Sequence, residues 1–137
     1  MMDKMLPAGS YLASHYQDKR RKLETRRVYY EDGRVEAYDG REWWTVCRFS
    51  EAQVAQAKEV IRASGLLTAT DLTAKGTYDT AALTYAWRLD QETGQVTNWA
   101  YPARSQPAFT ALEEQLDDLE AEAGAEEAGN EITRLTD

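Results

Sequence analysis

The 137-residue sequence contains one cysteine, one histidine, three prolines and two phenylalanines. With Cys47 alone, no intrachain disulfide can form, and a reducing, cytoplasmic setting is the simplest expectation. A lone His15 and a lone Cys47 are too few for an ordinary zinc site, which takes several such ligands. They also leave little for nucleophilic catalysis, which pairs a nucleophile with an oriented base. No glycine pattern of the phosphate-cradling kind occurs, and no run of alternating Asp and Asn closes on a glutamate as a calcium loop would. The apolar runs are only a few residues long, so no membrane-spanning helix is expected. Residues 1–14 lack a basic stretch leading into an apolar run, so no secretory signal is expected either. Together these absences predict a non-enzymatic protein without cofactor or metal.

Charge is present but unevenly placed. The net charge is −8, from 24 acidic and 16 basic residues. Residues 113–137 hold ten acids and one base, Arg134, a net of −9; residues 1–112 therefore carry +1. A near-neutral body with an acidic end fits neither a uniformly acidic surface nor a strongly basic nucleic-acid binder. Aromatic residues make up 10% of the chain, which argues for a packed body rather than disorder.

The pattern predicts a single folded unit over residues 23–123, preceded by a mobile arm (1–22) and followed by an acidic disordered tail (124–137). Pro7, Gly9 and Ser10 interrupt the first segment, and no sustained period appears there. Three strands follow, Glu24–Tyr30, Arg34–Tyr38 and Glu42–Phe49, joined by Asp32-Gly33 and Asp39-Gly40, dipeptides that favour tight hairpins. Ser50 and Gln53 have capping-box spacing, Val54, Ala57 and Ile61 recur on one helical face, and Gly65 is placed to end the helix, giving Glu51–Ser64. Leu83, Tyr85, Trp87 and Leu89 alternate in a strand over Ala81–Asp90 and should face the core. A turn over residues 91–94 leads into a strand over Gln95–Tyr101. Pro107 opens a second helix whose stripe is Phe109, Leu112, Leu116, Leu119 and Ala123, with Glu113, Glu114, Asp117, Asp118 and Glu120 on its other side. The expected fold is α+β: a two-layer sandwich of about five mostly antiparallel strands with two amphipathic helices on one face, in the order β-β-β-α-β-β-α.

Two groups of residues stand out as binding candidates. Lys19, Arg20, Arg21, Lys22, Arg26 and Arg27 form the one basic cluster. It allows several readings: a solvated arm and charged strand edge, an internal match for the acidic second helix or tail, contact with a protein partner, or contact with nucleic acid. The aromatics form the second group. Trp43 and Trp44 are neighbours in a strand and must point to opposite faces, so only one can lie under the helices. Tyr30, Trp44, Trp99 and Tyr101 are therefore candidate anchors on an open sheet face, with Arg104 in the loop after Pro102 as a further candidate. Cys47 reads as a core thiol and His15 as an exposed arm residue.

A helix ending at Ser64-Gly65-Leu66-Leu67, a strand led by the segment Tyr78–Leu89 (YDTAALTYAWRL), a return strand and a proline-started final helix resemble the layout of the emfourin family over roughly residues 25–119. Emfourins are small bacterial inhibitors of thermolysin-like metalloproteases. The resemblance implies an α+β protein that binds another protein. The family's glycine-rich opening is replaced here by the two Asp-Gly turns, and no inhibitory residue carries over position by position. The sequence thus points to a protein-binding module, with a nucleic-acid-contacting accessory protein and a self-associating subunit, such as a homodimer, as alternatives.

Overall fold

The computed structural model describes residues 6–72, 81–99 and 106–136, with side chains in the last segment as far as residue 124. Six strands, β1 (Ser10–Asp18), β2 (Leu23–Tyr30), β3 (Arg34–Tyr38), β4 (Trp43–Arg48), β5 (Ala82–Leu89) and β6 (Glu92–Trp99), form one antiparallel sheet in the order β4-β3-β2-β1-β5-β6. Two helices, α1 (Glu51–Ser64) and α2 (Pro107–Thr136), complete an α+β fold.

The largest departure from expectation is β1. The segment expected to be a mobile arm supplies the strand that joins the β2-β3-β4 meander to the β5-β6 hairpin. Its period is hidden by a bulge between Ser10 and Leu12, which buries both Tyr11 and Leu12 in the main core. Beyond Ala13 the strand is polar and less covered, so no alternation of apolar and polar residues survives.

Both Asp-Gly turns form, with Gly33 at φ 98° and Gly40 at φ 100°, a left-handed backbone that costs glycine nothing. The β5–β6 turn is shorter than expected. Asp90 and Gln91 both adopt positive φ, as a two-residue hairpin turn requires, so β6 starts at Glu92. Gly94 therefore lies inside β6, facing Trp87 across the ladder. Ser50 and Gln53 form the complete capping box, and Gly65 ends α1 at φ 92°.

The strand registers place Leu12, Tyr29, Val35, Cys47, Leu83, Tyr85, Trp87 and Val96 on one face. These residues share a core with Val54, Ala57, Val60 and Ile61 of α1 and with the α2 stripe from Phe109 to Ala123. Burying Phe109, Leu112, Leu116 and Leu119 contributes about 6–12 kcal/mol before conformational entropy. The opposite face carries a small cluster, in which Leu6 folds onto Ala13, Val28 and Ala86, with Tyr30 packed alongside.

The helix expected to fade after Gly124 instead runs to Thr136. Gly124 and Gly129 each cost only about 1 kcal/mol in a helix, and the Ala and Glu residues around them are strong helix formers. Its start is fixed by a buried side chain: Asn98 Oδ1 accepts from the Gln106 N–H at 2.9 Å, and Gln106 Nε2 donates to the Thr70 carbonyl at 2.8 Å.

A candidate protein-binding edge

Among the described residues, β4 is an outer strand with β3 on one side and no strand on the other. Its first two residues, Trp43 and Trp44, are each 46% exposed, the two most exposed of the large hydrophobic side chains among the described residues. Pleating sends them to opposite faces. Trp43 pairs with Tyr38 on the face away from the helices, and the two rings stack at 5.2 Å between centroids. Trp44 pairs with Ala37 on the helix-bearing face. There it lines a groove of about 430 Å³ together with Tyr16, Arg27, Tyr85, Glu113 and Asp117. The open-face position expected for Trp44 thus belongs to its neighbour Trp43, because the register of β4 was not legible from the sequence. A bulge at Val46 shifts the pairing between Val35 and Glu36, which protects the far half of this edge and leaves Trp43–Thr45 as its regular part.

The other outer strand is different. Asp71 and Leu72 cover the end of β6: the Leu72 N–H donates to the Thr97 carbonyl, the Trp99 N–H to the Leu72 carbonyl, and Asp71 Oδ1 accepts from the Thr97 N–H. Trp99 is half-buried. Tyr30 is half-buried too; it lies on the open face, where the Arg34 guanidinium sits 4.3 Å from its ring centroid and burial raises its pKa. Tyr101 and Arg104 lie outside the described residues.

The basic cluster is divided among three environments. Lys19, Arg20, Arg21 and Lys22 form the exposed tip of the β1–β2 hairpin, where Asp18 Oδ1 accepts from the Arg20 and Arg21 N–H groups and Lys22 takes φ 54°. Arg26 shares a register position with Tyr38 and His15 on the open face. His15 itself is not an arm residue; it stands in β1 with Nε2 3.1 Å from Glu24. Arg27 faces α2, and its Nη1 donates to Glu120 Oε1 at 2.8 Å.

Helical spacing places Glu120 on the solvent side of α2, but the structure buries it. Its second oxygen accepts from the Tyr29 hydroxyl at 2.8 Å. Burial raises the Glu120 pKa, while Arg27 and the Tyr29 hydrogen bond oppose that rise. Burial is the largest influence on the Arg27 cation and works against it, but Glu120, Tyr29 and Asp117 together outweigh it and hold the guanidinium more firmly protonated. One signal for this contact was available in the sequence: Arg27 and Tyr29 are two apart in a strand and must share a face with the helix that covers Tyr29. Nearby, the Tyr85 hydroxyl donates to Glu113 Oε1 at 3.3 Å.

Cys47 is buried beneath the helices. Among the described residues, no group of three or more His, Cys, Asp or Glu side chains is placed to hold a metal ion, and no helix is long and apolar enough to cross a membrane. No protein-family model matches the chain, and no curated protein matches it.

Proposed function

We propose that this protein is a binding module that recognises another protein through the β4 edge. The observation that carries this reading is the pair Trp43 and Trp44, one on each face of an outer strand and each nearly half exposed. Exposed tryptophan is costly to leave in water and is a favoured anchor at interfaces. An outer strand adds directional backbone hydrogen bonds to that apolar contact when a partner strand pairs with it. At the other edge, Asp71 and Leu72 occupy the Thr97–Trp99 end of β6, whereas Trp43, Trp44 and Thr45 of β4 are exposed. Inhibition of a protease, which the emfourin resemblance implies, is one form this binding takes, and self-association through β4 is another.

The nucleic-acid reading draws less support, because Arg27 is committed to Glu120 and Arg26 lies apart from the Lys19–Lys22 tip. The test is affinity enrichment with the intact chain and with a Trp43→Ser/Trp44→Ser variant of unchanged circular dichroism, alongside light scattering and a thermolysin-like protease assay. The reading predicts a defined partner, a dimer or inhibition that the double variant loses. A partner retained equally by both proteins, or steeply salt-dependent nucleic-acid binding abolished by reversing Lys19–Lys22, contradicts it.

A further inference from the structure

We propose that the occupant of the β4 edge is a second copy of this chain: two β4 strands pair antiparallel about a two-fold axis at Trp44 and continue the sheet across a symmetric dimer. This rests on the reading of β4 as the binding edge and names the partner that edge takes.

The backbone fixes which groups are offered. The Asp39 N–H donates to the Glu42 carbonyl at 3.3 Å, which makes Asp39 and Glu42 the hydrogen-bonded pair that closes the β3–β4 turn. Bonded and non-bonded pairs alternate along an antiparallel ladder. Ala37 and Trp44 are therefore a bonded pair, while Tyr38 with Trp43 and Glu36 with Thr45 are non-bonded pairs. Non-bonded pairs bring their side chains closest, and the Tyr38 and Trp43 rings stack at 5.2 Å accordingly. The N–H and C=O groups of Trp43 and Thr45 thus point away from β3, out of the sheet edge, one residue to either side of Trp44.

This arrangement is self-complementary. A two-fold axis at Trp44 sets Trp43 opposite the partner's Thr45, and the same again by symmetry, so each outward donor meets an outward acceptor. Trp44 then faces the partner's Trp44 as a non-bonded pair on the helix-bearing face, where aromatic side chains gain most from each other. On the open face Trp43 lies beside the partner's Thr45, an aromatic next to a β-branched residue. The stretch from Trp43 to Thr45 carries no charge, so self-pairing sets no like charges opposite one another. Neighbouring registers are poorer. An axis at Trp43 puts Glu42 against the partner's Trp44, and an axis at Thr45 runs the ladder into the bulge at Val46. Four indoles, each 46% exposed in the single chain, supply about 450 Å² of apolar contact, which fits a weak, concentration-dependent dimer rather than a permanent one. Closed two-fold dimers are also the commonest assembly of identical chains.

The test is sedimentation equilibrium and amide NMR on the full chain, from micromolar protein up to about 1 mM. The expected result is a dimer whose formation shifts the Trp43 and Thr45 amides and both indole N–H resonances. A mixed sample of labelled and unlabelled chains should show an interchain contact between the two Trp44 α-protons. Thr45→Pro removes an outward N–H that β3 does not use, and proline is tolerated at such an edge position. With circular dichroism unchanged, it should weaken the dimer at least about tenfold while keeping both tryptophans. Trp43→Ser/Trp44→Ser should abolish the dimer from the side-chain direction. A dimer that either variant leaves intact overturns the proposal. So does a monomer at every concentration, and the peptide acetyl-Thr-Val-Thr-Val-Thr-amide then separates the two readings. If it shifts the Trp43 and Thr45 amides of that monomer, the second copy is overturned and the β4 edge stands; if it does not, both fail.

Discussion

The Tyr29 hydroxyl and the Glu120 carboxylate meet at 2.8 Å, joining the helix-facing side of β2 to the inner side of α2. The same carboxylate binds Arg27, so one helix residue satisfies two neighbouring strand residues. Removing it leaves a buried hydroxyl and a partly buried guanidinium without their acceptor. Glu120→Ala should therefore lower unfolding stability by about 1–3 kcal/mol, with the lower end favoured because Arg27 keeps contact with water. The double variant Arg27→Met/Glu120→Leu should lose less than the sum of the two single changes, since no charge is then stranded. Urea denaturation of the four proteins measures this coupling directly.

The same network sets a pH dependence. Burial raises the Glu120 pKa above the ordinary carboxylate value of 4.5, so the folded state binds its proton more readily than the unfolded state does. The resulting contribution is fully present below pH 4.5 and is lost as pH rises through the elevated folded value. Relative to Glu120→Gln, the native protein should gain stability as the pH is lowered from 7 to 4.5. At the alkaline end, burial raises Tyr29 well above 10. Its unfolded form ionises near pH 10 while the folded form keeps its proton, so stability should fall above pH 10, and less steeply in Tyr29→Phe. Denaturant midpoints at pH 4.5, 7 and 10.5 check both signs.

Tyr11 offers the opposite kind of test. Its hydroxyl is buried and has no hydrogen-bond partner among the described residues, and burial raises its pKa strongly. Tyr11→Phe keeps the ring and removes an unsatisfied polar group, so it should be neutral or stabilising by up to about 1 kcal/mol. A loss of more than about 1 kcal/mol would show that the hydroxyl has a partner.

Two glycines should respond in opposite directions. A Cβ at Gly94 would enter the Trp87 indole, which covers that glycine, whereas a Cβ at Gly124 meets nothing within 4 Å. Gly94→Ala should destabilise by about 1–3 kcal/mol through overpacking. Gly124→Ala should stabilise by roughly 0.5–1 kcal/mol through helix propensity. Thermal unfolding of both variants provides the comparison.

These particulars show where the sequence was readable. Local chemistry was legible: the Asp-Gly turns, the Ser50/Gln53 box, the Gly65 stop and the α2 stripe all lie where spacing predicts. Long-range placement was not. β1 was hidden because its bulge brings Tyr11 and Leu12 into the same core and its second half is polar, so neither helical nor strand period appears. Glu120 was hidden because its partners, Arg27 and Tyr29, are about ninety positions away and burial of a carboxylate runs against composition. The presence of two exposed tryptophans was foreseeable only in part. Alternation showed that they must diverge, but the edge position of β4 that exposes both depends on the strand order.

The most direct test of the β4 edge is site-specific photocrosslinking in the full chain. A photoreactive phenylalanine analogue is placed at Thr45, on the exposed part of β4, and in a second protein at Gln95, on the exposed part of β6. The account predicts a defined protein adduct, or a covalent dimer, from position 45 and not from position 95, and its disappearance when Trp43 and Trp44 are both changed to serine. Adducts formed equally from both positions, or an adduct at position 45 that persists without the tryptophans, would contradict it.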